Sequence, residues 1–140
     1  MLFRSVLEPS CLLTLRDEAL VLGLGEAAHQ VAASAQLFEE FLAGKMAAGE
    51  LDVPLAAQPG LTLKVHGHCH QKSMGKGAPA VALLSKVPGA KVTALDSGCC
   101  GMAGSFGYVN YEVSQAIGER RLLPAARGLK PGAVLVAAGT

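Results

Sequence analysis

Aromatic side chains are scarce, at 4% of the 140 residues, and charged ones make up only 16%, with a formal balance of +1. So sparse and even a charge leaves no concentrated basic face, which excludes nucleic acid and an anionic membrane surface as partners. Long apolar runs are missing too: Gly, Pro or a charge interrupts each one before the roughly 18 to 20 residues that cross a bilayer, so no transmembrane segment is expected. Nor is a secretory leader expected, because Glu8, Pro9, Arg16, Asp17 and Glu18 interrupt the region where its apolar stretch would lie. The chain is therefore expected in the cytoplasm, meeting a membrane only peripherally, through partners. What is abundant is small and apolar, with 51% hydrophobic residues and 17 glycines. A chain of this length and composition buries a core and reads as one globular domain over 1–140.

Strand and helix signals alternate along it. Phe3 to Glu8 reads as a short strand, and Leu12 to Leu24 as a helix ended by Gly23 and Gly25. Glu26 to Ala48 reads as one long helix, with Val31, Ala35, Phe38, Phe41 and Leu42 gathered on one face. Pro54 to Gly60 is a loop, Leu61 to Val65 a second strand, Ala78 to Val87 a helix, and Lys91 to Leu95 a third strand. Asn110 stands where a helix N-cap would, with Tyr111 to Arg127 helical behind it until Pro124 ends or kinks the helix. Ala133 to Ala137 is the fourth strand. This alternation implies right-handed crossovers and an α/β fold: a mainly parallel sheet flanked by helices, as a Rossmann-like or flavodoxin-like three-layer sandwich.

Each of the four cysteines follows the carboxyl end of an expected strand: Cys11 the first, Cys69 the second, Cys99 and Cys100 the third. In a parallel sheet those ends share one edge, where open α/β folds place their ligands. Two cysteines are adjacent and the compartment is reducing, so metal ligation or thiol redox work is expected over a disulfide framework. Gathered thiolates suit zinc or an iron–sulfur cluster, while a small buried cysteine is the bland alternative. The pair faces one site only if the backbone bends, and Gly98 and Gly101 bracket it to permit the bend. His66, His68 and His70 alternate around Cys69 and share a side while the segment stays extended. His68 and His70, flanking the cysteine, are the stronger metal candidates; hydrogen-bonded loop histidines are the alternative. His29 reads as surface or core, and Arg120 and Arg121 as surface pairs. The spacing of Gly98, Gly101, Gly104 and Gly107 does not match the dinucleotide fingerprint, and GHCHQKS (67–73) lacks the phosphate-loop pattern.

The segments EPSCLLTLRDE (8–18), HGHCHQKSM (66–74) and DSGCCGMAGSFGY (96–108) resemble the cysteine-rich CCG domain of iron–sulfur oxidoreductases. That family includes iron–sulfur subunits of glycolate oxidase and of anaerobic glycerol-3-phosphate dehydrogenase. The chain is also similar to the C-terminal part of fused proteins headed by an FAD-linked 2-hydroxy-acid dehydrogenase of the D-lactate type. The resemblance implies Cys69 as the lone cysteine of one motif, Cys99 and Cys100 as its pair, and Cys11 as the closing cysteine of an earlier motif. It implies a closing cysteine beyond Thr140 as well, so 1–140 is expected to be one domain of a larger chain.

The implied cofactor is an iron–sulfur cluster of the 4Fe-4S type, or zinc, with FAD on a separate domain or subunit. The implied partners are that flavin-containing dehydrogenase and an electron carrier. Lys72 and Lys76 read as solvated lysines, or else as receivers of an anionic substrate or of cluster charge. The rival expectation is a zinc-stabilised structural module that docks subunits without redox activity, and a thiol–disulfide couple at Cys99 and Cys100 ranks last because vicinal disulfides are strained.

Overall fold

A helix follows the first strand directly, because Pro9 is preset for the first turn of a helix and Glu8 supplies the cap. The computed structural model describes residues 5–73, 75 and 78–137. Phe3 and Arg4 of the expected first strand, Met74, Lys76, and the terminal Gly139 and Thr140 lie outside the described residues. Strand β1 is Ser5–Val6, and helix α1 is Pro9–Leu13, with the Glu8 carboxylate accepting from the Ser10 amide at 2.9 Å. The helix continues as a π-helical segment, Thr14–Glu18, into α2, Ala19–Val21, before Gly23 and Gly25 at positive φ end it. The expected helix here is borne out.

The long helix expected over 26–48 is broken. Helix α3 covers Glu26–Ser34, β2 covers Gln36–Leu37, and α4 covers Phe38–Ala47. Tertiary partners override the periodicity at the break. Arg16 donates to the Ala35 carbonyl at 2.8 Å, and the Glu40 carboxylate accepts from the Leu37 amide at 3.0 Å while pairing with Arg16 at 2.7 Å. Ala35 and Leu37 turn inward against Leu12 in a buried cluster, each leucine worth roughly 1.5–3 kcal/mol relative to exposure. The apolar face is displaced accordingly: Val31 and Phe38, expected on it, are exposed.

The α/β class is borne out, with a parallel sheet in the order β4-β3-β5. Its strands are β3, Thr62–His66, β4, Lys91–Ala94, and β5, Ala133–Ala137, each within a residue or two of expectation. Leu63 and Val65 of the central strand are buried. The first strand does not join this sheet: β1 pairs in parallel with β2, a stretch whose periodicity predicts helix. Helix α5, Cys69–Ser73, and helix α6, Ala78–Leu84, lie between β3 and β4.

After β4 come α7, Phe106–Val109, α8, Tyr111–Glu119, and α9, Leu122–Arg127. The expected single helix 111–127 is thus two helices parted at Arg121, which has φ −150 and ψ −50. Pro124 does not end the helix, because it sits in the first turn of α9, where its missing N–H leaves no bond unmade. Asn110 precedes α8 as expected but caps it with no side-chain bond.

Candidate metal centre

Cys69 and the Cys99–Cys100 pair follow the carboxyl ends of neighbouring parallel strands β3 and β4, so the sheet itself delivers them to one edge. The pair's loop is bent as the glycines suggest, with φ of +62 at Gly98 and +89 at Gly101. It is pressed on α8 without clearance. A Cβ at Gly101 would stand 2.3 Å from the Ser114 carbonyl oxygen, and one at Gly118 would stand 3.1 Å from the Cys100 carbonyl. The bend aims backbone donors at sulfur: the Gly101 amide donates to Cys99 Sγ at 3.3 Å and the Met102 amide to Cys100 Sγ at 3.5 Å. Donors to sulfur of this kind tune the potential of an iron–sulfur group that the sulfur holds.

The HGHCH segment does not stay extended, which corrects the expectation that its three histidines share a side. It turns into α5 at Cys69 through a reciprocal cap. The His70 amide donates to His68 Nδ1 at 3.2 Å, and the His68 amide donates to Gln71 Oε1 at 3.1 Å. This is a variant of the capping box, with histidine in the place of serine and its ring nitrogen on the second helical amide rather than the third. His68 Nε2 stands 3.7 Å from a Glu8 carboxylate oxygen, so both its ring nitrogens face protein groups. His70 Nδ1, in contrast, is buried with no hydrogen-bond partner among the described residues. His66 is buried, its Nδ1 2.5 Å from the hydroxyl of Ser97, which is wholly buried two residues before the cysteine pair.

Helix α5 is therefore tied on every side. Lys72 Nζ donates to the Gly98 carbonyl at 2.8 Å, Gln71 Nε2 donates to Glu39 on α4, and His68 meets Glu8 at the start of α1. Ser97, Gln71, Glu8 and Glu39 were not foreseen as part of the site. Only the H-x-x-Q spacing at 68–71 carried a signal of one of these ties. Cys11 lies exposed on α1, which packs against α5, so that packing and the Glu8–His68 pair join its helix to the site. His29 is exposed, and Arg121 pairs with Asp96 in solvent.

The electrostatics follow from crowding. Loss of hydration pushes the Cys69 thiol up from its usual range, and neighbouring Cys99 and, more weakly, Cys100 push the same way. Burial lowers His66, helped by the Lys72 ammonium and by His68. Burial also lowers His68 against the opposing pull of Glu8, so both rings favour the neutral form.

Three thiols at one sheet edge, two of them with N–H donors on sulfur, and an orphaned imidazole nitrogen form a donor set that fits a soft, thiolate-held metal group. Among the described residues, no three of the His, Cys, Asp and Glu side chains converge closely enough to hold one ion. A multi-iron cluster takes each thiolate on a different iron, so its ligands stand farther apart than four donors around a single ion.

No protein-family model matches the chain, and no solved structure matches it. One subunit of the anaerobic glycerol-3-phosphate dehydrogenase of Escherichia coli (strain K12) is 44% identical over 68 residues, which cover 47% of this chain and 17% of that protein. The same subunit from Escherichia coli O157:H7 matches equally. D-2-hydroxyglutarate dehydrogenase of Escherichia coli (strain K12) is 35% identical over 117 residues, 80% of this chain and 11% of that protein. The matched stretches thus span 17% or less of the relatives' own length, and the chain is similar to a part of each of these dehydrogenases.

Proposed function

We propose that this chain is the iron–sulfur, electron-transferring part of an FAD-linked 2-hydroxy-acid oxidoreductase, of the D-lactate or glycolate oxidase kind. Cys69, Cys99 and Cys100 are its cluster ligands and Cys11 the nearby fourth candidate. What supports this reading is that parallel strands β3 and β4 deliver Cys69 and the Cys99–Cys100 pair to one sheet edge, with amide donors on two of the sulfurs. When bound, a four-iron cluster supplies one-electron transfer.

The chain's own residues present and hold the thiolates. The Gly101 and Met102 amides stabilise negative charge on Cys99 and Cys100, while the His68–Gln71 cap fixes the start of the helix that carries Cys69. His70 Nδ1 offers an unsatisfied nitrogen at the site, as a ligand or to hold a proton. FAD and hydroxy-acid oxidation belong to a separate domain or subunit. Directly after the cysteine loop, Tyr108, Val109, Tyr111 and Val113 are all exposed, an apolar surface suited to that flavin-bearing partner. The names of the relatives, both dehydrogenases, support the oxidoreductase class.

Anaerobic purification followed by iron, zinc and acid-labile sulfide analysis with EPR tests the reading. Iron with matching sulfide, lost in Cys99→Ser, is the expected result. Stoichiometric zinc without iron overturns it in favour of a structural staple.

A further inference from the structure

The Lys72 ammonium ties the two cysteine-bearing segments together, and its place in the fold gives it a second effect. Lys72 lies in α5, three residues after Cys69, and its Nζ donates to the carbonyl of Gly98, the residue immediately before Cys99, at 2.8 Å. Its side chain runs past Gly67, where an added Cβ would lie 3.4 Å from Lys72 Cε. It also lines one wall of an apolar pocket of about 440 Å³ formed with Val65, Val81, Ala94 and Leu95. None of the residues lining that pocket is anionic. The loop offers the ammonium a carbonyl oxygen rather than a carboxylate, on the residue directly before Cys99.

We infer that Lys72 is a positioning residue that holds the cysteine-pair loop against α5 and, by its charge, raises the reduction potential of the group held by Cys69, Cys99 and Cys100. This rests on the cluster reading above. A reduced cluster carries one more negative charge than an oxidised one, and a nearby fixed cation stabilises the more negative state. Because Lys72 is exposed on its outer side, salt screens part of the effect.

The test is a redox titration followed by EPR on the wild-type chain, Lys72→Met and Lys72→Arg, with iron and sulfide measured in each. Lys72→Met, which loses the tie to the loop, is expected to load less fully than the other two, and the potential is read on the loaded fraction of each. Lys72→Met should shift the one-electron equilibrium toward the oxidised form by about tenfold, equivalent to 59 mV for a one-electron couple. Lys72→Arg should stay near the wild-type potential, and the difference should shrink in high salt. Loss of the cluster from Lys72→Met alone also supports a requirement for the charge. Equal potentials on the loaded fractions overturn the inference while leaving the cluster reading intact, as does loss of the cluster from both variants, which would mark side-chain shape rather than charge. A wild-type chain that holds no iron overturns the cluster reading itself and the inference with it.

Discussion

His66 shows how much a single side chain here depends on a partner far away in sequence. It is 6% exposed and bonded to a fully buried Ser97, and burial is the first cause of its lowered pKa, with Lys72 and His68 adding to it. The unfolded chain takes up a proton on this residue near the ordinary value of about 6.5, while the folded chain resists until a lower pH. Between those two values the unfolded state binds more protons, so stability is full above about pH 6.5 and is lost as pH falls toward the folded value. Urea midpoints of the metal-free chain should therefore be flat from about pH 7 to 8 and fall below about pH 6.5. His68, lowered for the same first reason, adds to the slope. His66→Gln keeps a partner for Ser97 and should be less stable at about pH 8 but shallower in its acid slope; an unchanged slope would remove His66 from this account. Sequence alone marked His66 only as one of three alternating histidines, because nothing in a serine 31 positions away says that it is buried.

Among the elements, the cysteine loop and α8 form the tightest joint. Gly101 has φ +89, and its absent Cβ would meet the Ser114 carbonyl oxygen at 2.3 Å and carbon at 3.0 Å, backbone atoms that have no rotamer by which to yield. Gly104 has φ +61 with nothing within 4 Å. Alanine at 104 should cost only the backbone term, roughly 1 kcal/mol, whereas alanine at 101 adds a steric clash and should cost about 2–5 kcal/mol. Paired urea denaturation of the two variants checks the difference, and equal costs would mean that the loop stands off the helix. Glycines bracketing a cysteine pair were legible as a bend, because only that residue accepts positive φ without penalty. The break at Ala35 to Leu37 was not legible. Spacing at three and four continues through it, and the groups that stop the helix, Arg16 and Glu40, act from either side of the break. The N-cap at Glu8 with Pro9 behind it was written in the local sequence, whereas the pairing of Ser5–Val6 with Gln36–Leu37 rather than with the main sheet was not.

At the scale of the molecule, the placement of Cys69 and of Cys99 and Cys100 after neighbouring strands at one sheet edge was readable because alternating strands and helices force parallel strands, whose carboxyl ends share an edge. The division into a three-stranded sheet and a separate β1–β2 pair was not, since it depends on how Leu12, Ala35 and Leu37 close their own small core. Few large side chains are fully enclosed among the described residues: the buried hydrophobic set is Leu12, Ala28, Ala35, Leu37, Leu63, Val65 and Leu122, while Leu7, Val21, Leu22, Tyr108 and Val109 lie open. With so modest a core, anything that binds only the folded chain should carry a visible share of its stability. Cys69 and the Cys99–Cys100 pair follow two different strands and share an edge only when the sheet is formed, so a metal group held by them would favour the folded state. Occupancy at about a hundred times the dissociation constant corresponds to about 2.7 kcal/mol, which at roughly 4 °C per kcal/mol for a chain of this size raises Tm by about 10 °C. Anaerobic reconstitution with iron and sulfide should produce that rise, and removal of the iron with a chelator should reverse it. Cys99→Ser should show only a small part of it, because one of the three proposed ligands is gone. If zinc alone reproduced the full rise and iron with sulfide gave none, the same geometry would be acting as a staple, and the electron-transfer reading would fall with it.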